Sequence, residues 1–231
     1  TPEDIGHALN HCNIKEINYL SYSHLDPDHT FGMRVIEQLR LNWLDLSINK
    51  KCDNPIKVLA LPNVLNDVNA LSTKYGSIFD YYESLNLIKR KSVNKRIVIN
   101  DIKITFVPAN EEATVTIFIF EQNGKKLIYA PCDVKPFPNS RLFYDADYLI
   151  IGNTIIGNIL KNNFYLTKNN PLNLELFSFE EVLELKAKYN IQNVIITHLE
   201  EDWGKSYDDY LNYEKECIAI KFAYDGMTIE L

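Results

Sequence analysis

The chain has 231 residues, 46% hydrophobic and 24% charged, with a formal net charge of −7. This composition excludes a mainly disordered chain and supplies enough apolar material for a sizeable core. It also argues against a nucleic-acid-binding surface, which needs clustered Lys and Arg.

Thr1 and Pro2 read as the cap and first turn of a helix that runs to about Asn10. Ile17 to Tyr22 is a predicted strand. Apolar residues at helical spacing (Phe31, Val35, Ile36, Leu39 and Trp43) then predict one helix from Thr30 to Leu44. Ile56 to Leu61 is a predicted buried strand, and Pro62 starts a helix to Thr73. The basic run Lys89-Arg90-Lys91, with Lys95 and Arg96, reads as a solvated strand or turn face, with contact to an anionic substrate or partner as the alternative.

Predicted strands follow over Ile97 to Ile99, Ile102 to Val107, Thr114 to Glu121 and Lys125 to Tyr129. Asn123-Gly124 between the last two is a strong hairpin signal. Tyr148 to Ile151 is a further apolar strand. Asn153 to Leu176 is Asn-rich and without a clear period, as expected of a lid or binding loop. Ser178 and Glu181 form a capping box opening a helix to Lys188. Val194 to Ile196 is a strand, Ser206 to Glu216 a helix, and Ile218 to Phe222 and Met227 to Leu231 closing strands.

With no repeat or linker, a single domain over residues 1–231 is expected. Alternating elements at both ends and a β-meander between them suit two sheets flanked by helices. Cys12, Cys52, Cys132 and Cys217 are well separated and make no CxxC pair. Buried, unbridged thiols in a reducing cytoplasm are the expectation. No apolar run approaches the roughly 20 residues that span a bilayer, so no membrane association is expected, and no secretory signal is read before the first helix.

The chemistry is concentrated in His24-Leu25-Asp26-Pro27-Asp28-His29. Four ligand-type side chains stand within six residues, after an apolar strand and before a helix, where a rigid support aims them at one point. Pro27 stiffens the loop and biases Asp26 to an extended backbone. Asp28 or Thr30 alone would read as a helix cap. Two imidazoles and two carboxylates packed together without a cation would crowd and repel, so His and carboxylate ligands for zinc, manganese or iron are the sharper reading. Asp133 and His198 also stand just beyond apolar strands. Singly each reads as a satisfied polar strand terminus; together they offer a bridging carboxylate and a further imidazole for two cations about 3.5–4 Å apart. Glu200, Glu201 and Asp202 follow His198. One of them is a candidate for orienting an imidazole.

Residues 23–32, Ser-His-Leu-Asp-Pro-Asp-His-Thr-Phe-Gly, resemble the HxHxDH signature of the metallo-β-lactamase superfamily. The likeness is greatest to the phosphodiesterase-like branch that includes phosphonate-pathway cyclic phosphodiesterases and tRNase Z. Tyr129 to Asp133 resembles the segment with the metal-bridging Asp, and Ile196 to Leu199 the segment with the last His. The resemblance spans nearly the whole chain. It implies an α/β fold of the four-layer αβ/βα sandwich type and hydrolysis by metal-activated hydroxide. It also implies His24 at a first metal, Asp28, His29 and His198 at a second, Asp133 between them, and Asp28 contacting the attacking water. One or two divalent ions are expected, zinc first, with a small anionic substrate such as a phosphodiester.

Three departures stand out. Asp26 occupies the place of the motif's second His. The His expected after the strand Ile104 to Val107 is absent, and Asn110, or else Glu111, stands there as at most a weak ligand. The strands that normally precede the first helix are missing, so either a longer chain or a partner would cover the sheet edge, and homo-oligomerisation is expected. Glu111, Tyr165 and Glu201 are the only candidates for a general acid. A metal-impaired regulatory relative is the alternative to the hydrolase, and an iron-dependent oxidoreductase of the same fold is a third reading.

Overall fold

The first helix, α1 (Ile5–His11), begins later than Thr1 and Pro2 suggest, with Asp4 at its N-cap position. In this computed structural model, which describes residues 1–231, the chain divides into two units. One comprises Thr1–Lys95 with Glu111–Thr116; the other comprises Arg96–Asn110 with Ile117–Leu231.

The first unit continues with β1 (Tyr19–Ser21), α2 (Pro27–Thr30), a 3-10 turn (Phe31–Arg34), α3 (Val35–Arg40) and α4 (Trp43–Ser47). Then come β2 (Ile56–Ala60), α5 (Pro62–Asn69), the two-residue strands β3 (Ser72–Thr73) and β4 (Gly76–Ser77), α6 (Ile78–Ser84) and β5 (Ile88–Ser92). β1, β2 and β5 pair in parallel in that order, Leu20 opposite Val58 and Val58 opposite Arg90. Ile56, Val58, Leu59 and Ala60 of the central strand are buried, as a parallel strand covered on both faces requires.

The single helix predicted from Thr30 to Leu44 is broken. A Cβ on Gly32 would lie 1.8 Å from the Pro2 carbonyl oxygen, so the start of the chain packs directly on that turn. Asn42 accepts the N–H groups of Leu44 and Asp45 and starts α4 afresh. Val35 and Ile36 are buried as expected, but Phe31 and Trp43 are 54% and 67% exposed. Helix α6 was not legible from periodicity. It buries Phe79 and Tyr82, and the Tyr22 ring lies 5.5 Å from that of Phe79. The basic run forms β5, yet Arg90 is not a solvated residue. Its guanidinium meets Glu83, Asp80 and Asn69.

The second unit holds β6 (Arg96–Ile99), β7 (Ile102–Pro108), β8 (Thr116–Gln122), β9 (Lys125–Ala130), β10 (Tyr148–Gly152) and β11 (Thr154–Ile155). It continues with α7 (Leu172–Glu175), β12 (Phe177–Ser178), α8 (Phe179–Lys188), β13 (Asn193–Thr197), α9 (Tyr207–Glu216) and β14 (Ile220–Phe222). One seven-stranded sheet has the order β14-β13-β10-β9-β8-β7-β6. The hairpin at Asn123-Gly124 forms as read, with φ of 52° and 78° and Gln122 opposite Lys125. β9, β10, β13 and β14 run parallel. The registers Ala130 to Ile151 and Gly152 to Thr197 bring the carboxyl ends of β9, β10 and β13 to one edge. Both capping boxes are made, Ser178 with Glu181 and Ser206 with Asp209. α8 buries Phe179, Val182 and Leu185, and Tyr210 of α9 stacks on Phe222 at 4.7 Å.

Met227 to Leu231 is not a strand. β14 is the edge of the sheet, and the chain turns at Gly226 with Met227 N–H bonded to the Tyr224 carbonyl. The segment 153–176 is mostly irregular but carries β11, a 3-10 turn and α7. None of the cysteines is in a disulfide. Against expectation, only Cys132 is buried, and Cys12 is exposed. No helix is long and apolar enough to cross a membrane.

Asp147 ties three parallel strands together at their amino ends. Its carboxylate accepts the Lys126 N–H at 2.8 Å and the Lys125 ammonium at 3.1 Å, while its carbonyl accepts the Asn193 N–H. The Lys126 N–H, helped by Lys125, holds the carboxyl below the ordinary Asp range. Because the folded value is depressed, this stability is present above the unfolded value of about 3.9 and is lost as pH falls through the folded one. Asp147→Asn is expected to cost about 1–3 kcal/mol at pH 7 in urea denaturation, and the deficit against the parent should shrink in acid.

Candidate metal centre

In the first unit the chain leaves β1 through buried Tyr22 and Ser23 into the His24 to His29 loop. Thr30 is fully buried, and its hydroxyl donates to the carbonyls of Leu25 and Asp26, both at 3.0 Å. Asp26 is extended (φ −48°, ψ 145°) ahead of Pro27, and Pro27 opens α2. Asp26 occupies the N-cap position, yet its side chain makes no cap hydrogen bond. Of the two residues read as possible caps, Asp28 lies inside α2, and Thr30, at the N-cap position of the 3-10 turn, makes no side-chain cap bond and braces the loop instead.

His24 is 3% exposed, and the Ser23 hydroxyl meets its Nδ1 at 2.9 Å. That contact fixes the ring and presents Nε2, which lies 3.8 Å from the Asp26 carboxylate. The His24 and His29 rings are 4.1 Å apart, and His29 Nε2 is 3.0 Å from Asp28. Ligand atoms of His24 and His29, of His24 and Asp26, and of Asp28 and His29 lie within 4.8 Å of one another. Two imidazoles and two carboxylates at this spacing suit a divalent cation. A hydrogen-bond partner on the ring nitrogen that faces away is the usual support for a ligating His, and here the Ser23 hydroxyl takes that place.

In the second unit, Asp133 lies three residues beyond β9 and His198 directly follows β13, so the two flank β10. Gly152 ends β10 between them. A Cβ there would stand 2.9 Å from the Cys132 nitrogen and 3.6 Å from the His198 Cβ. Both candidate ligands are left-handed, Asp133 with φ 60° and His198 with φ 54°, a conformation that non-glycine residues hold at a cost and that recurs at functional sites. His198 Nε2 lies 3.0 Å from Glu200, so of the three acidic residues considered for orienting an imidazole Glu200 makes such a contact. Glu201 instead pairs with Lys161 at the surface. Asn110 and Glu111 are exposed beyond β7, and Tyr165 is 60% exposed. Sequence reading missed Gly152, whose role depends on a register no local pattern reveals.

No family model and no curated protein sequence matches the chain. Solved structures do. A diphosphatase from the PhnP family aligns with a TM-score of 0.68 at 13% identity, covering 98% of this chain and 76% of the other. Zinc-bound PqqB from Methylobacterium extorquens aligns at 0.68 with 17% identity, over 100% and 80%. The short form of human tRNase Z aligns at 0.61 with 12% identity, over 99% and 85%. The chain has the metallo-β-lactamase fold. Identity this low carries the fold and leaves the substrate to be argued from the residues. On the metallo-β-lactamase fold, the carboxyl-end loops of parallel strands are where Asp133 and His198 stand.

Proposed function

We propose that this metallo-β-lactamase fold protein is a metal-dependent hydrolase of a phosphodiester or similar small anionic ester. The observation that carries the reading is the His24 to His29 loop. It gathers two imidazoles and two carboxylates on a backbone braced by Thr30, with His24 oriented by Ser23. In this reading His24, Asp26, Asp28 and His29 of the first unit would hold a divalent ion, with Asp133 and His198 of the second unit as the further ligands that the family resemblance implies, and Asn110 would add at most a weak contact. Zinc is favoured by the three imidazoles, and the carboxylates, Asp26 among them, make manganese or iron acceptable.

A bound divalent cation would acidify water and offset charge growing on the substrate oxygens. Ser23 and Glu200 hold the His24 and His198 rings. Asp28, with a side chain 55% exposed, is the base placed to hold a proton from the attacking water. The test is elemental analysis after separate reconstitution with zinc, manganese and iron, with turnover of bis(p-nitrophenyl) phosphate. At least one equivalent per chain with turnover is expected. Asp26 and Asn110 favour a second reading, a metal-impaired regulatory relative; failure to retain any of the three ions would decide for it.

A further inference from the structure

Beside His198 the second unit contains a cavity of about 500 Å³, within the usual range for small-molecule sites. The segment 153–176 supplies apolar walls, Leu160, Phe164, Leu172 and Leu176, and the loop after β13 closes it with Trp203. Gly204 makes the closure possible. It is left-handed (φ 62°), and a Cβ there would stand 2.8 Å from the Lys161 nitrogen.

Two polar atoms in this lining have unmet hydrogen bonds. Trp203 is 3% exposed and its Nε1–H has no partner; Asn153 Oδ1 is buried and has none either. An orphaned buried donor or acceptor costs about 1–3 kcal/mol, so the pair is a standing preference for a ligand that accepts from one and donates to the other. Charge narrows the choice. Glu200 and Asp202 line the same cavity, and its one cation, Lys161, is already paired with Glu201. An anion is disfavoured there, while apolar walls suit a flat ring.

We infer that this cavity seats a neutral planar group that carries both a hydrogen-bond donor and an acceptor, as in a nucleobase or an aryl carboxamide. Its role as the seat for the organic half of the ester rests on the hydrolase reading; the binding itself does not. Glu200 links the two, since it lines the cavity and touches His198.

The experiment is isothermal titration calorimetry of the chelator-treated 231-residue chain with adenosine and benzamide, and with p-xylene and inorganic phosphate as comparators. Saturable binding of adenosine or benzamide is expected, with p-xylene and phosphate weaker by roughly tenfold or more. Asn153→Gly keeps the left-handed backbone (φ 50°) and deletes the side chain, the amide with it. It should weaken binding roughly tenfold, as should Trp203→Phe, with melting curves confirming that both variants fold. His29→Ala should lose metal and bind adenosine as the parent does, which separates this inference from the hydrolase reading. Equal binding of p-xylene, preference for phosphate, no binding at all, or an indifferent Asn153→Gly would each overturn it.

Discussion

Replacing His29 with alanine is expected to strip the bound ion and to lower phosphodiester turnover by about 10²–10³-fold, the equivalent of several kcal/mol of charge stabilisation. Its imidazole lies 4.1 Å from the His24 ring and 3.0 Å from the Asp28 carboxylate, and no other nitrogen of α2 can take its place. The fold should survive. The His29 N–H still bonds the Asp26 carbonyl, and Thr30 still braces the loop. Elemental analysis and a thermal melt on one sample read both halves of the outcome. Full metal occupancy in His29→Ala would remove His29 from the centre.

Gly152→Ala is expected to damage stability and metal retention together. The nearest atoms to the added Cβ are backbone, the Cys132 nitrogen at 2.9 Å and the Pro131 carbonyl carbon at 3.1 Å, so no side chain can swing aside. Either β9 and β10 part or the turn carrying Asp133 shifts. Overpacking of this kind costs about 1–3 kcal/mol. Displacement of a ligand by a few tenths of an ångström should weaken the metal roughly 10–100-fold, as loss of a supporting contact does. Melting curves with and without zinc test this: the gap between Gly152→Ala and the parent should widen when zinc is present. An alanine variant that melts and binds like the parent would show that the two backbones do not approach so closely.

Much of this was legible because it is local. The Asn123-Gly124 hairpin, the Ser178 capping box and the apolar runs of β10 and β13 each follow from a few adjacent residues. The clustering of His24, Asp26, Asp28 and His29 was legible because the four side chains are nearly consecutive. What escaped depends on partners elsewhere. The helix predicted from Thr30 to Leu44 opens as a 3-10 turn where Gly32 meets Pro2, thirty residues away in sequence, and breaks at the extended Leu41 and Asn42. Met227 to Leu231 has strand-like residues, but a strand needs a neighbour, and the sheet already ends at β14. α6 had a readable start, Ser77 three residues before Asp80, but its aromatic residues hid the period. The Trp203 and Asn153 cavity was invisible, because only the folded chain shows which polar atoms are left without company.

The backbone at Asp133 and His198 sets durability against chemistry. Each corner uses a left-handed turn in which glycine would be more comfortable by about 1 kcal/mol. In ion-free protein, His198→Gly should therefore melt above His198→Ala. A library sorted for heat resistance alone would drift towards glycine at both corners, and on the proposed metal reading those tougher proteins would no longer retain an ion. Retention of Asp and His there is what selection for turnover, and not for robustness, would maintain.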